Sequence, residues 1–124
     1  RKIYCVDTGL ARALSLSSTQ DMGDKLENLV YLHLRRKHKA IFYYSEMFEC
    51  DFIVLQEEGP ASAIQVCYNL DEANYIKKLK GLEAAMKDLG LTEGTIVTFD
   101  QEESMEVKGG TVRAIPVWTY LLGH

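Results

Sequence analysis

Apolar positions along this chain switch between a period of two and a period near 3.6, and the switches mark its elements. Residues 2–7 (KIYCVD) read as a short strand, with Asp7 or Thr8 placed to cap a brief helical turn through Leu10 and Leu14. A polar connector, SLSSTQD, follows at 15–21. From Met22 to about His38 the positions Leu26, Leu29, Val30, His33 and Leu34 recur at helical spacing, which predicts a first main helix with Asp21 or Asp24 at its start. Three strands are then predicted at 40–44, 50–55 and 63–68, separated by SEMFE and by QEEGPAS with its turn-forming Gly59-Pro60; they read as a meander. Asp71 is placed to cap a long helix whose Tyr75, Leu79, Leu82, Met86 and Leu89 fall at steps of 4, 3, 4 and 3, and Gly90 sits at its C-terminal stop. The β-branched and aromatic run Thr95 to Phe99 predicts a buried strand reached by a crossover, as in an α/β sheet. A hairpin from Met105 to Ala114 around Gly109-Gly110, then a short helix opened by Pro116 and running through Leu122, closes the chain.

Composition narrows the class without naming a chemistry. At 124 residues, 47% of them hydrophobic, the chain has the size and apolar content of one domain with its own core, read here as a single unit over 1–124. A net charge of -4 argues against nucleic-acid binding by bulk charge, so any phosphate contact must be confined to one face. Cys5, Cys50 and Cys67 form no CxxC pair, which suggests neither a disulfide framework nor a zinc knuckle. No apolar run approaches the roughly 20 residues needed to span a bilayer, so no membrane partner is expected and the default setting is the reducing cytoplasm. The chain opens at Arg1 and enters a strand at once, which reads as a piece of a longer protein.

Strand alternation brings candidate chemistry together. Asp51, Ile53 and Leu55 share one face of their strand, and Ala63, Gln65 and Cys67 share one face of the next, so pairing would set Asp51 beside Gln65 and Cys67. Glu27, on a helical stripe with Tyr31 and Leu34, is a third polar group able to point at the same spot.

The order helix Glu, strand Asp, polar-x-polar resembles the PD-(D/E)xK nuclease core, an αβββαβ unit. More closely, VDTGLARAL (6–14), LENLVYLHLRR (26–36), ECDFIV (49–54), IQVCYNL (64–70) and IPVWTYLL (115–122) resemble the C-terminal domain-of-unknown-function 4143 region of bacterial and archaeal ATPases. The resemblance implies a restriction-endonuclease-like α/β fold: a mixed sheet flanked by helices, extended here by the C-terminal hairpin and short helix. It also implies a P-loop ATPase module upstream. No GxxxxGK[ST] occurs in this chain, so ATP would belong to that upstream domain, and no cofactor is expected here unless an active nuclease site holds Mg²⁺. Carried over by position, Glu27 matches the helix Glu, Asp51 the metal-binding Asp, Gln65 the (D/E) position and Cys67 the lysine position. Glu27 and Asp51 are thus the metal candidates. Gln65 offers only a neutral carbonyl, and Cys67 cannot supply a fixed ammonium, while thiolates favour softer metals than Mg²⁺. Losing such an electrostatic partner costs on the order of 10² to 10³ in rate. A working site would need a migrated lysine, from Lys25 or from the long helix.

Plainer readings stand beside these. Asp51 can be a turn or edge residue, Glu27 a solvated helix residue, Cys67 a small core residue, and His33 a partly buried histidine. The run Arg35-Arg36-Lys37-His38-Lys39 is the one dense basic cluster; helix capping explains it, and with Lys77, Lys78 and Lys80 it is the candidate nucleic-acid contact, DNA being the partner in view. The stretch Gln101-Glu102-Glu103 reads as a solvated loop. The expected role is a non-catalytic, nuclease-like accessory domain of an ATPase, contacting nucleic acid or a partner protein. A divergent Mg²⁺-dependent DNA nuclease and a protein-interaction module without nucleic-acid binding are the alternatives.

Overall fold

A computed structural model describes residues 3–5, 21–56 and 58–123. The elements are β1 (Ile3–Cys5), α1 (Met22–Lys37), β2 (Ile41–Ser45), β3 (Glu49–Val54), β4 (Ser62–Val66), α2 (Tyr75–Leu89), β5 (Glu93–Thr98), β6 (Glu103–Val107), β7 (Gly110–Pro116) and α3 (Val117–Gly123). The helical turn expected through Leu10 and Leu14, and most of the polar connector after it, lie outside the described residues.

Seven strands form one mixed sheet in the order β1-β2-β3-β4-β5-β7-β6. β1 to β4 are antiparallel neighbours, the expected meander. β4, β5 and β7 run parallel, with α2 crossing over between β4 and β5, and β6 returns antiparallel to β7. The protein is therefore a mixed α/β domain. Period-two alternation splits its core in two: Phe52, Val54, Ile64, Val66 and Val97 join Leu26, Val30, Tyr31 and Leu34 of α1 on one face, while Ile53, Ala63, Cys67 and Ile96 join Leu82, Ala85 and Met86 of α2 on the other.

Local chemistry accounts for the helix ends. Asp21 caps α1 by accepting from the Asp24 amide at 2.7 Å. Gly90 stops α2 in the left-handed region, at φ 69°, where its amide closes on the carbonyls of Met86 and Lys87. Two expectations are corrected. Asn74, not Asp71, is the N-cap of α2; Asp71 Oδ1 organises the turn before it, accepting from the amides of Ala73 and Asn74 at 2.9 and 3.0 Å. Leu29 is 43% exposed, and Tyr31 is buried on α1 in its place.

Candidate functional site

β3 and β4 pair with Phe52 opposite Ile64 and Ile53 opposite Ala63. One residue further along, side chains take over from the backbone ladder. The Asp51 amide donates to Gln65 Oε1 at 2.8 Å, and the Val66 amide donates to Asp51 Oδ2, also at 2.8 Å. The strands open here without leaving either amide unpaired.

Gln65 is 1% exposed, and both ends of its amide are engaged. Besides the bond to Asp51, Nε2 donates to the carbonyls of Glu49 at 2.8 Å and Lys78 at 3.0 Å. The side chain is thus a buried strut joining β3, β4 and α2. Gly81 makes the close approach of α2 possible, since a Cβ there would lie 1.9 Å from the Glu49 carbonyl oxygen and 2.7 Å from Gln65 Nε2.

Lys78, on the first turn of α2, reaches over the same spot and places Nζ 3.1 Å from Asp51 Oδ2, with the two side chains 27% and 19% exposed. Glu27, on α1, is part-buried and feels both charges. Its carboxyl is pushed up to about 7, first by burial and then by the negative charge of Asp51, against the opposing pull of Lys78. Two carboxylates and one ammonium therefore share a field.

Cys67 faces α2 and is 7% exposed; burial raises its thiol, and Sγ lies 3.4 Å from the Asn69 carbonyl that it donates to. It contributes no charge. His33 is buried, edge-on to Tyr120 at 5.5 Å. The basic run lies elsewhere: Arg35 is eight residues beyond Glu27, about 12 Å along the helix axis. Arg35 closes the end of α1, donating to Tyr31 Oη at 3.2 Å and to the Lys39 carbonyl at 2.6 Å, while Arg36, Lys37 and Lys39 are exposed. Lys77 is exposed, and Lys80 places Nζ 5.5 Å from the Phe48 ring centroid. Lys25, the other lysine considered for the site, is exposed on α1.

Lys78 itself carries a sequence signal. It lies four and seven residues before Leu82 and Ala85, so it is a cation in phase with a buried stripe. Among the described residues no group of three or more His, Cys, Asp or Glu could hold a metal ion, and the Gln65 carbonyl accepts from the Asp51 amide.

The fold and this cluster define a mixed α/β domain with a carboxylate–lysine centre where a meander opens against a crossover helix. The chain belongs to the family described as domain of unknown function DUF4143, whose model matches residues 22–120. It is also similar to "Uncharacterized protein MJ1544" of Methanocaldococcus jannaschii, 34% identical over 134 aligned residues that cover 99% of this chain and 30% of that protein. The chain thus spans about 30% of the length of this relative. No helix among the described residues is long and apolar enough to cross a membrane.

Proposed function

We propose that this is a nuclease-like domain, with a restriction-endonuclease-like αβββαβ core, that does no cleavage and serves as the accessory domain of an ATPase, contacting nucleic acid or a partner protein. The engagement of Gln65 carries this reading. At the position where a nuclease offers a carboxylate to a metal, this chain has an amide whose oxygen accepts from Asp51 and whose nitrogen ties α2 to β3. The residue has become part of the packing. Plasmid incubated with the protein and Mg²⁺ or Mn²⁺ is expected to remain uncut, and metal-dependent nicking abolished by Asp51→Ala would overturn the proposal.

One observation favours the divergent nuclease as a second reading. The Lys78 ammonium stands 3.1 Å from Asp51, so α2 supplies the cation that Cys67 cannot. On that reading Lys78→Met removes all nicking, while Cys67→Ser leaves it intact; equal loss in both variants would sink it. For nucleic-acid contact through the basic run, Arg36→Glu with Lys39→Glu should weaken binding, and the affinity should fall steeply with salt. Arg35 is left out of that test because it closes α1.

A further inference from the structure

Beyond the ends of three parallel strands lies a surface whose chemistry is the reverse of the basic run. β4, β5 and β7 finish at Val66, Thr98 and Pro116, and just past them stand Tyr68, Phe99 and Trp118. Tyr68 stacks on Phe99 at 4.9 Å, and Phe99 meets Trp118 edge-on at 6.3 Å. Phe99 and Trp118 are nevertheless 43% and 50% exposed. The loops after β4 and β5 are tied together: the Phe99 amide donates to the Tyr68 carbonyl at 3.0 Å, and the Gln101 side chain bonds both the amide and the carbonyl of Leu70, at 2.7 and 3.0 Å. A groove of about 530 Å³ is lined by Leu70, Asp71 and Glu72 of the first of these loops, by Tyr75 and Ile76 of α2 and by Glu103 of β6. Asp71, Glu72, Asp100, Glu102 and Glu103 are all exposed, and residues 66–76, 97–107 and 114–123 contain no lysine or arginine, with the exposed Lys77 next in sequence after Ile76.

A nucleic-acid backbone would be repelled by this edge. Aromatic faces and carboxylates together attract guanidinium and ammonium groups, the first by cation–π contact and the second by charge-assisted hydrogen bonds. We propose that this aromatic, acidic edge docks a basic peptide segment of a partner protein, with arginine or lysine side chains on the groove carboxylates and over Phe99 and Trp118. The proposal goes beyond the accessory-domain reading and is independent of the Glu27–Asp51–Lys78 cluster.

Trp118 is the chain's single tryptophan, so its emission reports binding at this edge directly. Titration of the full chain with a short oligo-arginine peptide is expected to give a saturable change in emission that weakens with salt. The double variant Glu72→Gln, Glu103→Gln should weaken binding by about fivefold and Phe99→Leu by about threefold. Glu93→Gln, at the opposite end of β5, should leave it unchanged. No emission change with oligo-arginine, equal weakening by Glu93→Gln, or tighter binding of oligo(dT) at Trp118 would each overturn the proposal. Plasmid cleavage plays no part in this assay, so its failure is distinguishable from failure of the accessory-domain reading.

Discussion

The two faces of the sheet are filled by different means. On the α1 face, Leu26, Val30, Tyr31 and Leu34 pack on Phe52, Val54, Ile64 and Val66, apolar side chain against apolar side chain. On the α2 face an apolar patch of Ile53, Ala63, Leu82 and Met86 adjoins a polar seam, in which Gln65 binds two backbone carbonyls and one amide and Lys78 leans on Asp51. An apolar contact tolerates small shifts, whereas the seam works only if α2 sits at one distance from β3. The α2 face is therefore where substitutions should show the steepest and most residue-specific effects.

Gly81→Ala tests this hardest. The added methyl would collide with the Glu49 backbone, which cannot rotate away as a side chain could, so α2 must move and the Gln65 bonds must break. A loss of about 3 kcal/mol or more in denaturant unfolding is expected. Val30→Ala, a truncation on the α1 face, should cost about 2 kcal/mol and leave the seam intact. Similar costs that both spare the Glu27–Lys78 coupling would erase the contrast. Gln65→Leu keeps the volume but strands the Asp51 amide and removes the donor that ties the Glu49 and Lys78 carbonyls together, for a loss of about 2 kcal/mol. Gln65→Glu is the sharper variant. An ionised carboxylate facing those two carbonyls is repelled, so its penalty should grow as pH rises, and the variant should gain no metal-dependent cleavage.

Much of this is legible in the sequence. The 4, 3, 4, 3 spacing in α2 and the Gly90 stop announce that helix, and alternation puts Asp51 and Gln65 each on a definite face of its strand, while their being neighbours depends on the pairing of β3 with β4. What escaped depends on relations between elements. Gln65 reads as a degenerate ligand until the Lys78 carbonyl and the Glu49 carbonyl are seen at its nitrogen. Asp71 is a good cap by type, yet the chain makes one more turn before α2 begins at Tyr75. Leu29 shows that an apolar stripe on α1 extends beyond what the other described residues cover.

Glu27 gives the next effect, through pH. Its carboxyl titrates near 7 in the folded protein against 4.5 for the ordinary group. Below 4.5 both folded and unfolded chains hold the proton, and the shift contributes nothing. Between 4.5 and 7 the unfolded chain releases it while the folded chain retains it, so this group lowers stability as pH rises and the loss levels off above 7. Glu27→Gln, fixed in the neutral form, should be more stable than the parent by about 1 to 2 kcal/mol above pH 7, after discount for solvent screening, with no gain below 4.5. Unfolding midpoints across that range provide the check, and a pH-independent difference would refute the titration argument.

Lys78→Met should have the smallest direct effect and links the seam back to Glu27. The ion pair with Asp51 is partly exposed, and Asp51 keeps the Val66 amide after the lysine is gone, so a loss of about 1 kcal/mol or less is expected. Its informative consequence is indirect. The Lys78 charge holds the Glu27 carboxyl down against burial and Asp51, and removing it should move the Glu27 titration upward, extending the destabilising window to higher pH. Carboxyl titration followed by NMR would register that shift. If Glu27 titrates unchanged in Lys78→Met, the two residues do not share a field, and α1 and α2 do not converge on one centre.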